Sequence, residues 1–278
     1  MDLQLDTLFH FTNKEEHLLN IIKNSFSPRF CLDDFTFFMP KNRRGLWVKP
    51  PIMLAMPMVC FCNIELGELK YHSNKYGRFI IGMKKEWAIR RGISPVMYFH
   101  ENSTPVSVQI ESIYRLMDLV RKGLPSMTMQ ELADFNVSGP EHIAIIRDIQ
   151  GALTEMVAYY KPIIGIKRIR GKKERVNYYN EREWRYSPLL LSENERVDNF
   201  ATAFLFEENY RNSSMRKEEE AKIAKRYTLR ITKDDIKYVV LPDKSYLKSF
   251  EIKLREGYKD SEVDHLLQKI VFYDEVSK

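Results

Sequence analysis

The sequence predicts an α+β fold, and three observations predict it. Through residue 100, short runs of β-branched and aromatic residues alternate with short helical stretches. Between about Ser103 and Tyr160 the apolar spacing turns helical, and from Lys161 onward the mixed texture returns. At 278 residues, 44% apolar and 29% charged, the chain is long enough for one large domain with an insertion and has the composition of a packed core. Residues 1–278 therefore read as a single α+β domain carrying a helical insertion at 103–160.

Thr7–Thr12 (TLFHFT) is enriched in strand formers and reads as the first strand. Asn13 is placed to cap the following helix, Lys14–Asn24, whose Leu18, Leu19, Ile21 and Ile22 form an apolar stripe. From Ser27 to Pro51, Pro28, Pro40, Gly45, Pro50 and Pro51, with basic residues Lys41, Arg43 and Arg44, predict a long covering loop. Met58–Ile64 then reads as a buried strand and Glu65–Tyr76 as a helix stopped by Gly77. Arg78–Met83 is a strand, Lys84–Arg91 a helix stopped by Gly92, and Pro95–Phe99 extended. In the insertion, Val106, Ile110, Ile113, Met117 and Val120 fit one helical face, and Ile143, Ile146, Leu153, Val157 and Tyr160 another. Ile163–Ile169 and Arg182–Tyr186 are extended, while the charge run in Asn209–Arg226 reads as a solvated helix or loop. The tail reads as strands Tyr227–Ile231 and Ile236–Leu241, helix Lys244–Arg255 and strand Lys269–Tyr273.

A net charge of +6 mildly favours phosphate-bearing partners. Three cysteines, Cys31, Cys60 and Cys62, are an odd number, which argues against a disulfide framework and for a reducing compartment. The longest apolar stretch, Ile52–Cys62, falls short of the roughly 20 residues a membrane span needs. Residues 1–12 have no basic region followed by an apolar one, so a cytoplasmic protein is expected. No metal is expected either, because the Cys60/Cys62 pair lacks further donors and no histidine pair has metal-binding spacing. Neither a P-loop nor a dinucleotide-binding glycine motif is present.

Tyr178–Tyr186 (YYNEREWRY) is the most informative segment for chemistry. If Glu181–Arg185 is extended, Glu181, Glu183 and Arg185 point one way and Arg182 and Trp184 the other. Paired carboxylates suit reaction at a sugar carbon through an oxocarbenium-like state; an edge strand of alternating charge is the competing reading. His10, flanked by Phe9 and Phe11, could donate to a ligand hydroxyl with Phe11 or Thr12 shaping the pocket, or could be a satisfied core histidine. Lys161, Lys167, Arg168, Arg170, Lys172, Lys173 and Arg175 stand against one acid, Glu174, close to Tyr178 and Tyr179. That run could track a nucleic-acid backbone, hold a pyrophosphate, or be a solvated hairpin.

The His-Phe-Thr strand, the helix directly after it and the late Glu-x-Glu strand together resemble the ADP-ribosyltransferase superfamily. The resemblance implies a split mixed or antiparallel sheet with flanking helices, and NAD as substrate. His10 would anchor the adenosine ribose, with Phe11, Thr12 and Arg185 on the cofactor side. Phe61, ahead of Tyr76, would stack on nicotinamide, Glu183 would be the catalytic carboxylate, and Glu181 would orient the acceptor. A longer resemblance, carried by LFHFT, by MPMVCFCNIELGELKYHSNKYGRFIIGMKKEWAIRRGISPVMYF and by EREWRY, is to the AbiGi family of bacterial abortive-infection proteins. It implies phage defence and, since the family is described as the antitoxin half of a two-component system, a partner toxin or antitoxin protein. Two functions follow: an NAD-dependent transferase of ADP-ribose to a macromolecule or water, or a non-catalytic antitoxin or sensor binding a partner protein or nucleic acid. On the first, Glu183→Ala is expected to abolish nicotinamide release and leave the fold intact.

Overall fold

The computed structural model describes residues 6–35, 53–100, 158–169, 172–188 and 205–276, together with Ser103 and Ser112. The insertion expected at 103–160 lies almost wholly outside them, and its expected last residue, Tyr160, begins a strand instead. The fold is α+β, with a mixed sheet and several helices. In chain order the N-terminal part comprises β1 (Thr7–Thr12), α1 (Glu15–Asn24), β2 (Arg29–Asp34), β3 (Met53–Cys62), α2 (Leu69–Tyr76), β4 (Phe79–Lys84), α3 (Lys85–Arg90), β5 (Ser94–Pro95) and β6 (Met97–Phe99). β7 (Tyr160–Pro162), β8 (Ile164–Ile169), β9 (Lys172–Asn177) and β10 (Glu183–Tyr186) follow. The C-terminal part holds β11 (Leu205–Phe206), α4 (Glu207–Arg211), α5 (Ser213–Tyr227), β12 (Ile236–Leu241), α6 (Leu247–Arg255), α7 (Asp260–Leu267), β13 (Ile270–Phe272) and α8 (Tyr273–Val276).

Among the described residues, nine strands form one sheet in the order β13-β12-β4-β1-β3-β10-β5, with β2 and β11 also paired to β3. Only the β12–β13 pairing is parallel within it. β1 runs beside β4 over its whole length, yet meets β3 at the single pair Phe9↔Cys62, so the two strands diverge. One face of the sheet is covered by α1, α6 and α7, which bury Leu18, Ile22, Phe250, Leu254, Val263 and Leu266 against Leu8, Phe61, Ile81 and Val239. Each such side chain contributes about 1.5–3 kcal/mol. The other face carries Phe9, Cys62, Ile80 and Val240 under Leu69 of α2 and Tyr273 of α8.

Local sequence explains several boundaries. Gly77 ends α2 with φ +104°, and a Cβ there would stand 2.1 Å from the Thr12 carbonyl oxygen, so only glycine fits. α1 begins without a side-chain cap from Asn13: Lys14 is the capping position, and Glu15 and Glu16 in the first turn meet the positive end of the helix dipole instead. The loop expected from Ser27 contains β2, because Phe30, Leu32 and Asp34 alternate with Cys31, Asp33 and Phe35 against β3. The strand expected at Tyr227–Ile231 is not formed; α5 runs through Tyr227 and only Leu229 bridges, to Phe26. No helix among the described residues is long and apolar enough to cross a membrane.

Candidate functional site

β10 builds the site. Its register sets Glu183 opposite Cys62 and Arg185 opposite Cys60, which puts both side chains on one face; Trp184, opposite Phe61, takes the other. Glu181 joins them by a different route from the extended strand expected. It closes a 3-10 turn, Tyr178–Glu181, capped by Asn177 Oδ1 accepting from Tyr179 N at 3.0 Å, and Arg182 then turns the chain with a left-handed φ of 42°. The short β7 supplies Lys161, whose Nζ donates to Glu181 Oε2 at 2.9 Å and also to Glu183 Oε2.

Arg185 completes a fork on Glu183, Nε to Oε1 at 2.6 Å and Nη2 to Oε2 at 3.2 Å. Its remaining hydrogen bonds reach Ala158 O at 2.6 Å and Asp33 Oδ2 at 2.6 Å. Asp33 sits opposite Leu54 and Arg185 opposite Cys60, positions about 20 Å apart on a straight strand. β3 therefore bends between them, where Pro57 interrupts its donors, and folds β2 over the face of β10. Tyr76 of α2 donates its hydroxyl to Glu181 Oε1, and Glu183 N donates to the Tyr98 hydroxyl oxygen at 2.8 Å.

Three carboxylates thus meet two cations in a nearly dry site; Arg185 is 1% and Glu183 5% exposed. Burial alone would raise the Glu183 carboxyl, but Arg185 and Lys161 outweigh it and hold the group well below the usual carboxylate range. Burial would likewise strip Lys161 of its proton, yet Glu183 and Asp33 hold its pKa above the ordinary lysine value. Tyr76 and Tyr98 are pushed up mainly by burial, Tyr76 also by Glu181, so both hydroxyls keep their protons. A small hollow lined by Asp33, Asp34, Phe35, Tyr160, Lys161, Pro162 and Tyr178 opens beside the cluster.

The sequence-derived candidates divide between two faces of the sheet. Glu181, Glu183, Arg185 and Tyr76 meet as described, and Phe11 borders them with its ring 6.2 Å from that of Tyr76. Phe61 does not: it lies on the opposite face, 1% exposed, between Phe26, Trp87 and His10, and has no free face for a nicotinamide. His10 bridges the gap between β1 and β3, its Nδ1 2.8 Å from Cys60 O and its ring against Phe26 and Phe61, while burial holds the imidazole below its ordinary pKa. One ring nitrogen of His10 is thus already partnered within the protein. Thr12 is likewise occupied, donating to Phe79 O at 3.0 Å. Phe61→Ala is expected to cost about 3–5 kcal/mol through the cavity it leaves, read by thermal unfolding; a loss under about 1 kcal/mol would return it to the site.

Lys161, assigned from sequence to a basic surface, is instead the buried pivot between the two glutamates. Its signal was there: it stands between Tyr160 and Pro162, six residues before the dense basic run. Asp33 and Tyr98 were not foreseen. The remaining bases belong to the β8–β9 hairpin, whose register sets Lys167 opposite Glu174 and Arg168 opposite Lys173; Arg175 is exposed and Arg170 lies outside the described residues. No group of three or more metal-binding side chains occurs among the described residues.

A family model described as "Putative abortive phage resistance protein AbiGi, antitoxin" matches residues 24–242, which include every member of the charge cluster. Among curated proteins, the "Abortive phage resistance protein AbiGi" of Lactococcus lactis subsp. cremoris is 26% identical over 243 residues, covering 80% of this chain and 88% of that relative. No solved structure matches.

Proposed function

The chain belongs to the AbiGi family of abortive phage resistance proteins, and from that premise we propose that it acts by binding, as an antitoxin that engages a partner toxin protein. One observation carries this reading: both candidate catalytic carboxylates are already spent. A carboxylate that supports a cationic sugar must face it with its charge uncompensated, whereas Glu183 accepts from Arg185 and Lys161 together. Saturated in this way, the cluster works as a clamp that joins β2, β7 and β10 and presents a fixed surface to a partner.

The second reading, an ADP-ribosyltransferase-like enzyme that cleaves NAD, is favoured by the pairing of Glu181 and Glu183 beside a hollow with tyrosine walls. It requires Lys161 to release Glu183 when NAD arrives. The experiment measures nicotinamide release from NAD by wild type and Glu183→Gln, and growth rescue when the chain is co-expressed with its cognate toxin. Rescue without nicotinamide release, and without a melting shift on adding NAD, supports the antitoxin reading. Release that is lost in Glu183→Gln at unchanged melting temperature overturns it. Retention of RNA or DNA that falls steeply with salt would instead assign the partner role to the β8–β9 hairpin.

A further inference from the structure

We propose that Cys31 and Cys60 form an oxidation site, a dithiol that a hydroperoxide closes to a disulfide. Both are free and only partly buried, unlike Cys62. Alternation along β2 places Cys31 on the face of Asp33 and Phe35, and alternation along β3 places Cys60 on the face of Met56 and Met58. Phe35, Met56 and Met58 belong to one cluster, against which both cysteines pack. A second contact brackets the pair independently. Asp33, two residues from Cys31, holds Arg185, the register partner of Cys60, at 2.6 Å, so the bend in β3 that joins the acid to the guanidinium also brings the sulfurs together. The Cys31 side chain is also the first influence felt by the Cys60 thiol, as expected of neighbouring sulfurs.

The chemistry assigns the order of events. Neighbouring Cys31, burial and the nearby Glu183 charge push the Cys60 thiol well up, so it keeps its proton, and the proposed order starts at Cys31. The Cys31 thiolate takes one peroxide oxygen; its S–O bond forms as O–O breaks, and the leaving hydroxide picks up a proton to become water. Cys60 then attacks the Cys31 sulfenic sulfur, the S–S bond forms, S–O breaks, and the second oxygen leaves as water with the Cys60 proton. Two thiols are oxidised by two electrons and one hydroperoxide is reduced. In a reducing compartment such a bond is transient and sensory rather than structural. It would fasten β2 to β3 beside Arg185, at the edge of the charge cluster.

The test treats the full chain with hydrogen peroxide, alkylates the remaining thiols under denaturing conditions and maps the peptides by mass. The expected product is monomeric, two hydrogens lighter, with Cys31 joined to Cys60, Cys62 alkylated, and the link reversed by dithiothreitol. Cys31→Ser and Cys60→Ser should each abolish the link, while Cys62→Ala should retain it. Three alkylated thiols after peroxide, a link through Cys62, a covalent dimer, or Cys31 carried on to sulfinic acid beside a free Cys60 would each overturn the proposal.

Discussion

Replacing Glu183 with Ala is expected to destabilise the protein by about 3–5 kcal/mol, a large share of the 5–15 kcal/mol that holds a typical domain together. The loss arises from what is left behind. Arg185 and Lys161 remain buried with their shared counter-charge gone, Arg185 keeping only the part-exposed Asp33 and Lys161 only Glu181. Thermal unfolding should fall on the order of 10 °C. Adding Arg185→Met to the same chain removes one under-compensated cation and should recover part of the loss, so the two changes are not additive. A drop of less than about 1 kcal/mol would mean that Glu183 stands free in solution, as a catalytic carboxylate should. A loss of the expected size would overturn the sequence-based expectation that Glu183→Ala spares the fold.

The contribution of the charge cluster to stability should be flat in the middle of the pH range and fall on both sides. Glu183 has its carboxyl depressed in the folded state, so its contribution is fully present above the unfolded value of about 4.3 and is lost as pH drops below it, at up to about 1.4 kcal/mol per pH unit. Lys161 is raised, so its contribution is complete below the unfolded lysine value of about 10.4 and is lost as pH climbs beyond it. Tyr76 and Tyr98, also raised, act in the same direction: above pH about 10 the unfolded chain ionises its tyrosines while the folded chain cannot. Melting temperatures of wild type and Glu183→Gln across pH 3 to 11 decide the matter. The gap between them should shrink as pH falls below about 4.5, and parallel acid limbs would remove Glu183 from the linkage.

What the sequence made legible was local. TLFHFT became β1 with its boundaries unchanged, Gly77 stopped α2 because its backbone lies against Thr12, and Ile236–Leu241 is β12. Period and turn chemistry act over a few residues, and these elements depend on little else. β2 was hidden because Pro28 and the prolines after it weigh on the same window, while the partner that makes Arg29–Asp34 a strand, β3, pairs with it across 19 to 29 residues. The candidate site was half visible for the same reason. Glu183 and Arg185 share a face by simple alternation, whereas Glu181 needed the left-handed turn at Arg182 to rejoin them. Lys161 and Asp33 could be recognised only once a bent β3 had brought distant segments together.

That bend has a kinetic consequence. The Asp33–Arg185 bond joins residues 152 positions apart, and the Tyr76–Glu181 bond spans 105. Neither can form until the chain has been synthesised as far as Glu181 and Arg185, so β2 and α2 leave the ribosome with the guanidinium partner of Asp33 and the carboxylate partner of Tyr76 still missing. Such long-range contacts close late, after the loop entropy has been overcome, and folding of the N-terminal strands is completed by a segment made well after them. A nascent chain stopped before Glu183 would hold β3 with the edge meant for β10 unpaired, the kind of exposed strand on which aggregation begins.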